Sequence, residues 1–258
     1  MAAADANVAE GGEGFPELLG HPRPLWMLFM TEFWERFSFY GMRWALTLYI
    51  VAQFYGGSGT GEAPANQIYG AYLALVYASG LLGGYAADRL IGYQRSILLG
   101  AAIMGSGLFV MMIPSMALFE VGLALVIVGN GLFKPNISTM VGQLYGQHDR
   151  RRDAGFTIFY MGINAGSFVS PLLTGWLASV ITDTPLQQNY KIVFASAGVG
   201  MVLSFLWFWF GRRQLHEIGR PPAGMPAARN MGITLIGAVL LMPIVYLLLA
   251  RLGADVLA

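Results

Sequence analysis

The chain has 258 residues, of which 56% are hydrophobic and only 11% charged, with a mean hydropathy of +0.57. A soluble domain with a large wetted surface does not have this profile, and a polytopic membrane protein does. The net charge of +1 gives no support to a nucleic-acid partner, and zero cysteines exclude disulfides and thiolate metal sites.

Residues 1–20 carry Asp5, Glu10, Glu13 and Glu17 and lack both a basic start and a short apolar core, so they read as a disordered cytoplasmic tail rather than a signal peptide. Seven apolar segments follow, at about 25–54, 67–87, 95–113, 117–145, 155–181, 191–210 and 230–250, each long enough to span a bilayer. The connections between them alternate in charge. Arg23, Arg89, Arg95, Arg150, Arg151, Arg152, Arg212, Arg213, Arg220 and Arg229 fall on the side of the N-terminus, and only Lys191 and Arg251 fall on the other. The positive-inside rule therefore predicts a cytoplasmic N-terminus.

Two outer connections are predicted, a Gly-rich loop around 56–65 and a turn at 183–188 broken by Pro185. The stretch 213–229, with Pro221, Pro222 and Pro226, reads as a cytoplasmic linker between six helices (21–212) and a seventh (230–252). That seventh segment carries only Thr234 and Tyr246 as polar side chains over 231–250, which suits a peripheral, lipid-facing helix.

The first segment contains TEFWERFSFYGMR, residues 31–43, and so places Glu32, Glu35, Arg36 and Arg43 inside an apolar helix. A charge near the bilayer centre costs on the order of 2.5 to 3.5 kcal/mol on insertion scales, so this face needs partners or a water-filled cavity. At roughly 100° per residue Glu32, Glu35, Arg36, Phe39, Tyr40 and Arg43 fall within an arc of about 140°. The spacing predicts a transport site.

The second segment ends in GLLGGYAADRLIGYQR, residues 80–95, where Gly80 and Gly84 are spaced for close helix approach and Asp88 with Arg89 opens a cytoplasmic loop. Upstream, Tyr77 either packs or faces a cavity. In the fourth segment, GNGLFKPNIST, Lys134 is the sole interior charge and calls for Glu32 or Glu35 as counterion, and Pro135 is expected to kink the helix. The fifth places Tyr160, Asn164 and Ser167 on one face, with Gly162 and Gly166 positioned for close packing. Glu120 reads as a helix N-terminal carboxylate, and His21, His148 and His216 lack metal-ligand spacing.

Together these motifs resemble the proton-dependent oligopeptide transporters of the major facilitator superfamily. The family's ExxERFxYYG is similar to EFWERFSFYG here, with Phe39 in place of its first tyrosine; its helix-four lysine matches Lys134, its FYxxINxGS matches FYMGINAGS, and the superfamily's GGxxADRxxGxxR loop matches residues 83–95. The resemblance implies an all-α membrane protein, the six-helix N-terminal bundle of a major facilitator fold (two inverted three-helix repeats) plus a seventh, peripheral helix. It also implies proton-coupled symport of di- and tripeptides across the plasma membrane, a bacterial inner membrane, with protons as coupling ion, no other cofactor and no metal.

Under that resemblance Glu32, Glu35 and Lys134 couple protons, Arg36, Arg43, Tyr40, Tyr77 and Asn164 bind peptide, and Asp88 with Arg89 belongs to a gate. The expected partners are di- and tripeptides, the lipid bilayer and a C-terminal six-helix half that is missing here. A non-transporting fragment or half-transporter subunit is the alternative. A remote one is an intramembrane hydrolase in which Lys134 activates Ser138, but no oxyanion hole or paired acid accompanies it.

Overall fold

The computed structural model describes residues 14–182, 189–221 and 227–254. The first thirteen residues of the expected tail, the expected outer turn at 183–188 and residues 222–226 of the expected linker lie outside them.

Among the described residues there are seven long helices: α1 (Arg23–Phe54), α2 (Glu62–Ala86), α3 (Tyr93–Val110), α4 (Met116–Gln143), α5 (Arg152–Val180), α6 (Tyr190–Gly211) and α7 (Ala227–Ala254). Each matches a predicted segment to within a few residues. Pro24 opens the first turn of α1, where its missing N–H costs nothing, and Glu62 places an acid at the positive end of α2. A π-helical turn, Ala87–Ile91, continues α2 and stops at Gly92, whose φ of +78° favours glycine.

Five helical stretches, those containing α2, α4, α5, α6 and α7, are long and apolar enough to cross a membrane. The other two depart from the expected seven for physical reasons: α1 carries the buried charges, and α3 opens on Tyr93, Gln94 and Arg95. Both belong to the same bundle. The first helix of each triplet packs mainly on the second and third of the other, α1 against α5 and α6 and α4 against α2 and α3, and α3 meets α6 across the middle. Exchanging α1–α3 with α4–α6 leaves this pattern unchanged, which is the topology of two inverted repeats. The remaining helix, α7, lies outside on α2 and α4 and leaves Ile236, Val239 and Leu240 exposed.

Small residues set the closest approaches. A Cβ on Gly83 of α2 would collide with the Gly131 carbonyl of α4, and one on Gly166 of α5 with the Phe33 carbonyl of α1. The expected pair Gly80 and Gly84 meets nothing within 4 Å, so the contact is one position out of the predicted register. Helix α4 runs unbroken through Pro135. The carbonyl that Pro135 leaves without its helical donor is that of Gly131, the one lying against Gly83.

The tail departs from its expected disorder at its described end. Glu17–Leu18 and His21–Pro22 pair as a short antiparallel hairpin. Arg151 bonds Glu17 (2.6 Å), the Gly20 carbonyl (3.3 Å) and Asp149 (2.9 Å), His21 bonds the Tyr145 hydroxyl (2.8 Å), and Phe15 lies 5.5 Å from the His216 ring. This clasp joins the tail to the α4–α5 loop and the chain after α6. Hydrogen bonding from Arg151 holds the Asp149 carboxyl below its usual range. Its stabilising effect is therefore present at neutral pH and lost only as the pH falls through the depressed value. Arg151→Ala at pH 7 should speed amide exchange in residues 17–22, measured by mass spectrometry, and leave exchange in the interior of α4 unchanged.

Candidate functional site

Helix α1 is the axis of the bundle, and its two sides have different partners. Toward α5 and α6 the contacts are hydroxyl to carbonyl: Ser170 donates to Phe37, and Ser204 donates to Thr31 at 2.8 Å. Trp44 adds an indole bond to the Thr174 hydroxyl at 2.9 Å. These fix the rotation of α1, and the charged arc is buried on another side.

At its centre Arg36, 2% exposed, holds both carboxylates. Its Nε donates to Glu35 and lies 3.3 Å from Glu32, its Nη2 donates to the other Glu35 oxygen, and Asn130 of α4 donates to Glu35 at 3.3 Å. The guanidinium also lies 4.7 Å over the Phe39 ring. Such a buried cluster persists only when ion pairing and hydrogen bonds offset the loss of water. The second oxygen of Glu32 has no partner among the described residues.

Lys134 does not close the ion pair expected of it. It is half-buried, with its ammonium 5.7 Å from the Tyr77 ring, and Glu32 and Glu35 act on it only through their longer-range field. The i,i+4 spacing of Glu32 and Arg36 on one helix wins over the interhelical partner. Arg43, about 10 Å further along α1 at 1.5 Å per residue, donates to the Tyr69 hydroxyl and faces the Tyr40 ring at 5.9 Å. Three cations thus stand against two carboxylates, and one positive charge is left over.

Other expected residues lie on the open side of the bundle. Tyr77 is 73% exposed, Asn164 and Tyr160 are exposed, and Tyr40 is half-buried. Asp88 and Arg89 are exposed in the π-helical turn, where Asp88 accepts from the Tyr93 hydroxyl. Glu120 is buried in the second turn of α4 rather than at its first residue. Ser138 donates to the Lys134 carbonyl at 3.4 Å, a helical back-bond. A cavity of about 1120 Å³ opens among Tyr93, His148, Arg152, His216 and Arg220, and no residue of the charge cluster lines it.

Residues 94–243, more than half of the chain, match the model of the POT family. The chain belongs to the POT family. A curated relative, the di-/tripeptide transporter of Lactococcus lactis, is 43% identical over 238 residues, 89% of this chain and 46% of its own length. Dipeptide and tripeptide permease A of Escherichia coli is 34% identical, with 92% of this chain and 47% of its own covered. A crystal structure of a POT family transporter in complex with a thioalcohol conjugated peptide superposes with a TM-score of 0.75 at 36% identity, covering 92% of this chain and 49% of that one. The chain spans about half the length of the relatives it matches. With its apolar helices, family membership makes it a multi-pass membrane protein of the major facilitator fold.

Sequence reasoning missed Asn130, Tyr69 and Tyr72 beside the candidate site of this POT chain, and Asn136 on the α2–α4 seam. Asn130 precedes Lys134 by one helical turn, so the motif that exposes the lysine also carries the asparagine. Asn136 donates to the Ser96 hydroxyl at 2.9 Å and to the Gly83 carbonyl at 3.3 Å, tying α2 and α3 to α4. For Tyr69 and Tyr72 the available signal was their three-residue spacing on α2.

Proposed function

We propose that this chain is the N-terminal half of a symporter that moves di- and tripeptides with protons across the plasma membrane by alternating access. The observation that carries the reading is the buried Arg36 with its two carboxylates, flanked by the half-buried Arg43 and Lys134. Its surplus positive charge suits an anionic group that every peptide carries, the C-terminal carboxylate. Di-/tripeptide transport is the activity named for the Lactococcus relative, and a conjugated peptide is bound in the solved POT structure.

Protonating Glu32 or Glu35 weakens its pair with Arg36 and raises the surplus to two positive charges. A proton and a peptide carboxylate are then linked ways of satisfying one network. Arg43 and Lys134, which hold no carboxylate, receive the peptide first, and Arg36 joins them once a glutamate is neutral. Tyr40, Tyr77 and Asn164 contact groups common to all peptides. Asp88 and Arg89 act at the gate.

The open face of α1, α2, α4 and α5 is where a second six-helix half packs, since rocking needs two bodies. Orientation follows from charge. The clasp of tail, α4–α5 loop and post-α6 chain gathers Arg150, Arg151, Arg152, Arg212, Arg213 and Arg220 at one end, the cytoplasmic one, and the membrane is a bacterial inner membrane.

Proteoliposomes carrying this chain joined to a C-terminal half test the reading. Labelled dipeptide should accumulate under an acid-outside gradient and stop when an ionophore collapses it. Lys134→Ala is expected to lose at least ten-fold of that accumulation. Full accumulation by the variant would remove Lys134 from coupling, and none by the parent protein would overturn the reading.

A further inference from the structure

Beneath the charge cluster α2 presents two tyrosines, three residues apart, in contrasting states. The Tyr69 hydroxyl accepts from Arg43. The Tyr72 hydroxyl, on a side chain with 0% exposure, has no hydrogen-bond partner among the described residues. Its ring is tilted over Phe39 at 6.3 Å, and Phe39 carries the Arg36 guanidinium 4.7 Å above its own centre. The hydroxyl also lies in the electrostatic range of Arg36, Glu35, Arg43 and Tyr69. Tyr72 thus lies one aromatic ring away from the Arg36 guanidinium, through Phe39, and bonds to neither the Arg36–Glu35 pair nor the Arg43–Tyr69 pair.

A buried hydroxyl without a partner is unfavourable, and polar groups in hydrocarbon find one when geometry permits. In this arrangement both Glu35 oxygens are taken, each by Arg36 and one also by Asn130. Any turn of Arg36 away from Glu35, toward an incoming anion, strips that carboxyl of its strongest donor.

We propose that Tyr72 is a positioning residue whose hydroxyl donates to Glu35 when Arg36 leaves it for the substrate carboxylate, and so stabilises the substrate-engaged state. The inference rests on the symport reading above for the identity of the anion. Tyr72 never touches the peptide. It replaces a hydrogen bond that Arg36 gives up, which lowers the cost of engaging substrate without altering the resting cluster.

Tyr72→Phe keeps the ring against Phe39 and removes only the hydroxyl. Tested in the two-half transporter by dipeptide counterflow, which needs no proton gradient, it should raise KM five- to twenty-fold and leave kcat within two-fold. The thermal midpoint of the unliganded protein should stay level or rise, because the lost hydroxyl has no partner there. In a Glu35→Gln background the KM effect should shrink to less than two-fold, because the amide oxygen that remains is a neutral, weaker acceptor and Arg36 gives up no carboxylate when it engages substrate. Wild-type KM in Tyr72→Phe, a fall in midpoint, or an undiminished effect in the Glu35→Gln background would each overturn the proposal. Counterflow reports on Tyr72 even if gradient-driven accumulation fails, so this outcome is separable from that of the symport reading.

Discussion

Glu35→Gln in the two-half transporter is expected to abolish peptide accumulation driven by an acid-outside gradient and to leave dipeptide counterflow intact. Glu35 is the more heavily bonded of the two carboxylates, with Arg36 on both oxygens and Asn130 on one. Glutamine keeps the shape and one acceptor oxygen but cannot change charge, so Arg36 is permanently in the state that protonation would create. Removing one partner of a buried ion pair costs about 3–5 kcal/mol where the other charge stays uncompensated. Here an incoming peptide carboxylate supplies the missing charge, so exchange of peptide for peptide continues. What disappears is the dependence of that exchange on a proton. Parallel assays of gradient-driven uptake and counterflow in one vesicle preparation measure both arms, and full accumulation by the variant would remove Glu35 from coupling.

Gly83→Val is expected to prevent assembly of the bundle, with no monodisperse protein recovered by size-exclusion chromatography. The added Cβ points at the carbonyl of Gly131, which is backbone and cannot swing aside. Overpacking at a rigid contact costs about 1–3 kcal/mol and more where helices must separate. Separation would also break the Asn136 bond to the Gly83 carbonyl and the Ser79 bond to the Ile127 carbonyl, which lie on the same α2–α4 seam. Gly237→Ala on α7, where a Cβ meets nothing within 4 Å, is the matched control and should express and elute normally. Recovery of folded Gly83→Val in equal yield would show that α2 and α4 can shift apart at little cost.

The spans were legible because a helix in hydrocarbon must be apolar over about twenty residues. The charged stretch of α1 was legible for the converse reason. What the chain did not disclose was partner choice. Lys134 looked like the natural counterion of Glu32 or Glu35 because it is the only charge in the interior of its segment, yet Arg36, one turn from Glu32, takes both acids.

Close packing failed in a similar way. Gly80 and Gly84 carry the recognised four-residue spacing, but rotation of α2 is set by its fit to α4, and that fit selects Gly83. The hairpin at residues 17–22 has strands of two residues, too short for any alternation to show. Asn130 and Asn136 were in view within the lysine motif, but an amide's partner depends on which backbone carbonyls reach it across a helix interface.

The exchanged packing of the two triplets also dictates the order in which the chain can become a bundle. Helix α1 leaves the ribosome before α2 to α6, carrying the charges least tolerated by lipid, and α5 and α6, which hold it, follow only after α2, α3 and α4. The Ser204 hydroxyl meets the Thr31 carbonyl across 173 residues of sequence, and Ser170 meets Phe37 across 133. Until its neighbours arrive, the pairs that Arg36 makes with Glu32 and Glu35, internal to α1, are what shields that charge from the bilayer. The same pairs that sit at the heart of the proposed coupling therefore let α1 wait in the membrane during synthesis.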